Sequence, residues 1–367
     1  MNELLTRIVG PKRCDQLLAQ VAVPPQLAAL QGLPTPVPST SNDPQPRAAV
    51  AMVMSLVLFE DLLARVPSGA RYVASQRERG RQVVFDHGAV RTVDWPETGH
   101  LPPGAELFRR LLIPLGYREV GRYPLDRIHM TGWVFTHADL PEQVPQYFVS
   151  ELHVVRLDPD ARQAVTRTVG DSENPLDSEV LALLDELAGR GWMALDDAAR
   201  LIPMLASCFG RHHPDPRLDD YHTLLRHSAE MAWIATEGNA FNHATDRVPD
   251  VEALAESLRQ PLKNGWPPED AIGWSLKDTV ERSRSGRVRQ TALRADPVVR
   301  RFRDAAGASI AREVPGSFFE FITRDLRPDG KLDLTFDAGN AQGIFHMTTH
   351  PPVGTPSSTT NPDPERL

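Results

Sequence analysis

Two short segments of this chain repeat one arrangement of side chains that could bind a metal and an anion. Phe85-Asp86-His87 is followed, after three residues, by Arg91; Phe241-Asn242-His243 is followed, after three residues, by Arg247. Each copy has the composition of a strand and precedes a stretch with amphipathic-helix spacing, so the two read as copies of one module. A pattern this short also arises by chance, and that alternative stays open. If the modules pack about a pseudo-twofold axis, His87 and His243 approach one another from opposite halves. Neutral imidazole is a common ligand for zinc and iron, and two histidines with one carboxylate leave open positions on non-haem iron. Glu320 is the candidate carboxylate, because it stands alone in the aromatic run Ser317-Phe318-Phe319-Glu320-Phe321-Ile322. A carboxylate buried there without a partner is costly, so it wants a cation, a hydrogen-bond donor or a metal. The competing readings are ordinary ones: hydrogen-bonded structural histidines, and a glutamate on the solvent face of its strand.

Arg91 stands four residues beyond His87, and side chains at i and i+4 of a strand share a face. The gap is about 13 Å at ~3.3 Å per residue. A small dicarboxylate fits between a metal on His87 and the guanidinium, whose fork suits a carboxylate. A surface salt bridge is the alternative. Arg247 either plays the same part in the second module or pairs with Asp246 or Asp250. Glu151, in Phe148-Val149-Ser150-Glu151-Leu152, lies in the last strand of the first module, as Glu320 does in the second. It reads as an outer acid or base, or as a structural partner of Arg91. Asn242 and Thr245 flank the second histidine and could orient it or a substrate. Cys208, His212, His213, His222 and His227 crowd together, but their spacing fits no familiar zinc pattern. No Gly-rich phosphate loop, nucleophile elbow or zinc-protease helix motif is present.

The elements that must position these residues follow from the pattern along the chain. Residues 2–31 have helical spacing. Residues 33–47 hold five prolines and read as a linker or ordered loop. Residues 48–66 read as a buried helix ending before Pro67. Then come a strand at 83–93, a helix at 106–115 stopped by Gly116, and strands near 118–123, 128–136 and 147–155. About three helices fill 176–233. The strand–helix order restarts with a strand at 240–248 and a helix at 250–263, followed by strands at 288–293, 317–324 and 332–336. This divides the chain into an N-terminal helical segment (1–75), a first module (76–175), a helical insert (176–235), a second module (236–350) and a Pro, Ser and Thr-rich tail (351–367) expected to be disordered.

Composition narrows the function classes. Hydrophobic residues make up 41% of the 367, enough for an ordinary globular core. The net charge of -8 and the absence of a dense basic run argue against a nucleic-acid partner. The most basic stretch, Arg282, Arg284, Arg287 and Arg289, reads as a solvated turn. The longest apolar run, residues 48–59, is too short for a bilayer, which needs ~20 residues. Two cysteines, Cys14 and Cys208, make no disulfide framework, and residues 1–13 lack an apolar signal core. The expectation is a soluble cytoplasmic protein acting on a small molecule, without a nucleic-acid or membrane partner. The oligomeric state is not legible.

The segments Asp86-His87-Gly88-Ala89-Val90-Arg91-Thr92-Val93, Gly238-Asn239-Ala240-Phe241-Asn242-His243, Arg289-Gln290-Thr291 and Ser317-Phe318-Phe319-Glu320-Phe321 together resemble the 2-oxoadipate dioxygenase/decarboxylase family. The resemblance spans roughly residues 80–350. It implies a vicinal-oxygen-chelate-like fold: an α+β chain whose paired β-α-β-β-β modules form a curved mixed sheet, with N-terminal and inserted helices. It implies Fe(II) held by His87, His243 and Glu320, and a substrate-binding Arg91. The implied activity converts 2-oxoadipate and O2 to 2-hydroxyglutarate and CO2, in lysine breakdown. Residues 337–346 look nearer to a compact branch of the family, and the insert matches nothing in detail, which bears on the substrate more than on the metal. Two rival readings use the same scaffold: a glyoxalase-type isomerase or hydrolase on another divalent metal, and a non-catalytic small-molecule binder.

Overall fold

The computed structural model describes residues 1–29, 43–259, 276–277, 279–283 and 286–336. The chain opens with helices α1 (Asn2–Val9), α2 (Pro11–Gln20) and α3 (Pro25–Ala29), then a short strand β1 (Pro44–Pro46). Helix α4 (Arg47–Arg65) is apolar on nearly all sides and correspondingly buried from Ala48 to Leu56. It gives way at Val66 to α5 (Pro67–Glu78), whose first-turn proline lacks only an N–H that has no helical partner anyway.

The first module follows: β2 (Phe85–Asp94), α6 (Glu106–Leu112), β3 (Tyr117–Leu125), β4 (Met130–His137) and β5 (Gln146–His153). An inserted stretch carries α7 (Pro159–Val169), α8 (Ser178–Arg190), β6 (Trp192–Ala194), α9 (Leu195–Ser207), α10 (Leu218–His227) and α11 (Ala229–Glu237). The second module holds β7 (Phe241–Arg247), α12 (Val251–Arg259), β8 (Glu281–Arg282), β9 (Val288–Ala292), a hairpin of β10 (Pro297–Arg303) and β11 (Ser309–Pro315), and β12 (Phe318–Arg324).

Eight strands form one curled mixed sheet in the order β3-β4-β5-β2-β7-β12-β9-β8. That order is symmetric about its centre. Strand β2 pairs parallel with β5, and β7 pairs parallel with β12; the outer strands on each side are antiparallel. The two modules meet where β2 and β7 pair antiparallel, with Gly88 opposite Ala244. Around that pair, His87 faces Thr245 and Ala89 faces His243, so a half-turn exchanges the two histidines. Gly88 is required at the centre, because a Cβ there would lie 2.4 Å from the Phe241 ring. The fold is α+β and vicinal-oxygen-chelate-like, as expected.

Strand alternation gives the sheet two unlike faces. Phe85, Phe241, Ala244, Phe319 and Phe321 join the large core beneath α4 and α5. Ala89, Val134 and Phe148 lie on the other face with Tyr123 and Phe336. Among the described residues no helix is long and apolar enough to cross a membrane.

Several expectations need correction. Residues 333–336 form no strand: the segment crosses the open face, and its carbonyls accept hydrogen bonds from Arg324 and Gln146 instead of a neighbouring strand. The stretch 176–233 holds four helices rather than about three, and a further helix, α7, starts at Pro159 inside the segment assigned to the first module. Asp158 before Pro159 marks its start in the sequence. The β10–β11 hairpin, a separate two-stranded sheet, was not anticipated. The helix expected over 250–263 is observed as Val251–Arg259; residues 260–263, 33–42, 337–346 and 351–367 lie outside the described residues.

Candidate metal centre

The pairing between β2 and β7 skips one residue on each strand. Asp86 is unpaired between Phe85 and His87, and Asn242 is unpaired between Phe241 and His243. A bulge adds a residue and re-aims a side chain. Here the two bulges are related by the pseudo-twofold, and each brings a polar side chain beside the histidine that follows it. The His87 Nδ1 lies 2.8 Å from Asp86 Oδ2, and the His243 Nδ1 lies 3.2 Å from Asn242 Oδ1. With Nδ1–H donated in each case, both Nε2 atoms keep their lone pairs. The repeated pair, Asp or Asn before His, is thus an acceptor and the ring that it orients.

Both Nε2 atoms point towards Glu320 of β12. His87 Nε2 lies 3.6 Å from Oε1, and His243 Nε2 lies 3.5 Å from Oε2. The two rings stand nearly perpendicular, with centroids 5.6 Å apart. One ligand atom from each of the three residues falls within 4.8 Å of the others, and all three residues are buried. Glu320 Oε2 has no hydrogen-bond partner. Burial opposes charge on the His87 ring, yet Asp86 and Glu320 push its pKa above the ordinary value. Burial pulls His243 down to about 4, with Glu320 opposing. A buried carboxylate with one oxygen lacking a donor and an imidazole nitrogen near each oxygen suits a divalent cation. Thr245 Oγ1, 2.9 Å from His87 Nε2, also borders the site.

A cleft opens over this group, lined by Phe148, Ser150, Gln290 and Phe336 as well as the three ligand candidates and Arg91. Arg91 is 1% exposed, with its guanidinium 5.1 Å from the Trp233 ring centroid. Burial lowers its pKa to about 10, against the pull of Glu230, so it remains a cation at neutral pH. The structure therefore brings His87, His243, Glu320 and Arg91 to one cavity.

Glu151 is elsewhere. Its carboxylate accepts the Ala105 backbone N–H at the start of α6, at 2.7 Å. The register explains the displacement. Glu320 lies opposite Thr245, and the first-module residue opposite Ala89, the twofold mate of Thr245, is Phe148. Phe148 takes the place that Glu320 holds in the other half, and it packs on His87 with ring centroids 4.3 Å apart. Glu151 also forms a loose group with Asp94 and His153. There the His153 nitrogens already contact Asp94 and Thr131.

Arg247 does not line the cleft; it sits 3.8 Å from Asp86 and donates to the Glu142 carbonyl. His212 and His213 contact backbone carbonyls, and His227 contacts Asp158 and Asp160. The reading of the sequence missed Arg324. Its guanidinium grips Asp86 at 2.8–3.0 Å, from a position 238 residues away. Burial pushes Asp86 up, but Arg324 and His87 outweigh it and hold the carboxyl well below the usual range.

The family model for 2-oxoadipate dioxygenase/decarboxylase matches residues 47–345. A crystal structure from Ralstonia eutropha JMP134, of a protein assigned to the glyoxalase superfamily, is 49% identical; the match covers 92% of this chain and 98% of that one, with a TM-score of 0.82. Hydroxyglutarate synthase from Oryza sativa, solved with 2-oxoadipate, is 20% identical over 86% of this chain and 97% of its own, with a TM-score of 0.61. The Pseudomonas putida hydroxyglutarate synthase with 2-oxoadipate is 19% identical over 84% and 74%, with a TM-score of 0.55. At those identities the two synthases share the fold. No curated protein matches the chain.

Proposed function

The chain belongs to the 2-oxoadipate dioxygenase/decarboxylase family, and from that premise we propose that it is a non-haem Fe(II)-dependent dioxygenase that decarboxylates a 2-oxo acid, with 2-oxoadipate as the best candidate substrate. The observation that carries the reading is the buried Glu320 carboxylate, its Oε2 without a donor, with the Nε2 atoms of His87 and His243 at 3.6 and 3.5 Å from its two oxygens. His87, His243 and Glu320 would hold the metal on one side and leave the cleft side open. The ferrous ion supplies the O2 chemistry that protein side chains lack.

The chain's own residues do the rest. Asp86 and Asn242 hold the two rings by their Nδ1–H groups. Arg91 takes the carboxylate remote from the metal through its fork, which fixes which carbon faces the metal. Trp233 restricts the guanidinium. Phe148 and Phe336 present apolar walls to the cleft. A small diacid suits a cleft lined by the three ligand candidates and one buried arginine. The products, 2-hydroxyglutarate and CO2, balance 2-oxoadipate plus O2 atom for atom. Cytoplasmic location, a place in lysine breakdown and the lack of nucleic-acid or membrane partners belong to the same proposal.

A second reading is a glyoxalase-type isomerase or hydrolase, favoured by the Ralstonia eutropha relative. Both enzyme readings predict that His87→Ala, His243→Ala or Glu320→Ala loses bound metal and turnover together, measured by metal analysis and a substrate assay on the same sample. A variant that kept full metal and turnover would remove that residue from the ligand set. O2 consumption separates the two readings, since an isomerase or hydrolase uses none.

A further inference from the structure

Arg324 ends β12 on the face that carries Glu320, four residues further along. Its side chain is 1% exposed and spans three other elements. Nε and Nη2 donate to the Asp86 carboxylate, which in turn takes the His87 Nδ1. Nη2 also donates to Gln146 Oε1 of β5 at 2.8 Å, and Nη1 donates to the Asp333 carbonyl at 3.0 Å. Gln146 passes its own amide to Thr136 and to the Leu334 carbonyl. The segment tied down in this way ends in Phe336, which packs on Phe148 and Tyr123 and forms part of the cleft wall.

A buried ion pair gives little net stability over well-packed apolar residues. What Arg324 and Asp86 do supply is geometry, since a planar fork on a carboxylate fixes both groups. We propose that Arg324 is a positioning residue with two outputs: through Asp86 it sets the ring of His87 for the metal, and through the backbone of residues 333–336 it holds Phe336 over the cleft. The inference rests on the metal reading above. It makes the two histidines unequal, because Asn242 offers His243 a neutral acceptor and, among the described residues, no arginine bonds to it.

The test uses the full-length, metal-free protein and two readouts besides activity. Co(II) affinity is measured by calorimetry together with the visible absorption of the bound ion. Hydrogen exchange is followed on a peptide covering residues 330–336. Asp86→Asn should weaken Co(II) binding by about 10- to 100-fold, as loss of an outer partner does, with little change in exchange. Arg324→Gln should weaken Co(II) binding comparably and also speed exchange at 333–336. Arg324→Lys, which keeps the charge without the fork, should fall between wild type and Arg324→Gln in both readouts, and it carries the test if the Gln variant does not fold. Wild-type Co(II) affinity in Asp86→Asn, or wild-type exchange in whichever Arg324 variant folds, overturns the inference and leaves the metal reading standing. A wild-type protein that takes up no Co(II) overturns the metal reading, and this inference with it.

Discussion

His87 and His243 occupy twofold-related positions, yet different groups hold them. Asp86 is an anion backed by Arg324, whereas Asn242 is neutral. Removing one partner of a buried ion pair leaves the other charge stranded, at a cost of about 3–5 kcal/mol. Arg324→Gln should therefore lower unfolding free energy by an amount in that range, read from a urea titration, and Asn242→Ala by much less. Equal losses would mean that the Asp86–Arg324 pair is not the buried contact that its geometry indicates. Arg91 is the other residue whose contribution can be isolated. Truncating one side of a buried charge pair costs about 2–5 kcal/mol, so Arg91→Ala should lower kcat/KM for a dicarboxylate by roughly 30-fold or more. A 2-oxo acid lacking the second carboxylate should lose far less. The same loss for both substrates would show that Arg91 does not meet that carboxylate.

Strands and bulges decide which residues share a face, and the sequence is only partly readable at that scale. The Phe-Asp/Asn-His repeat was legible because twofold-related positions carry similar residues at an equal offset in β2 and β7. The equivalence of β5 and β12 was not, because the match depends on register. A one-residue shift sends a side chain to the opposite face. Glu151 falls on the α6 side for that reason, three residues from Phe148, the position matching Glu320. Glu151→Gln should thus leave metal content and turnover near wild type and cost about 1 kcal/mol of stability through the weakened bond at the start of α6. Loss of metal in that variant would return Glu151 to the site. The centre of the sheet makes a stricter demand. Gly88→Ala places a methyl 2.4 Å from the Phe241 ring. Such overpacking costs about 1–3 kcal/mol, measurable as a lower denaturation midpoint, and an unchanged midpoint would mean that β2 and β7 meet less closely.

Across the whole molecule, contacts between residues far apart in sequence carry both the site and its stability. The module repeat, the buried helix over 48–66 and the α+β class could be read locally, from spacing and composition. The Asp86–Arg324 bridge could not, since nothing near either residue announces a partner 238 positions away. The same holds for residues 333–336, whose pattern suggests a strand while side chains on β12 and β5 take their carbonyls. Acid stability reflects buried histidines at two remote points. Burial lowers His137 and His213 to about 4 each, with Asp139 opposing at the first and the Pro214 carbonyl at the second. Unfolded histidine titrates near 6.5, so the unfolded chain binds these protons first. Stability is fully present above about pH 6.5 and falls as pH drops towards 4, by about 3 kcal/mol per histidine. Asp246 works in the opposite sense: burial raises it to about 6, against Tyr72, so its protonation adds stability between pH 6 and 4 and offsets roughly one histidine. The expected net result is a lower urea midpoint at pH 4.5 than at pH 7.5. An equal or higher midpoint at pH 4.5 would contradict the buried neutral state of these rings.

The account turns on a redox metal at His87, His243 and Glu320 acting on a 2-oxo acid held by Arg91. The measurement that tests it most directly is O2 uptake by anaerobically Fe(II)-loaded protein given 2-oxoadipate and a panel of other 2-oxo acids, with released CO2 collected from the same vessel. The account predicts uptake matched by CO2 release, fastest with a dicarboxylic 2-oxo acid. Metal bound at the site with no O2 consumed for any 2-oxo acid would contradict it.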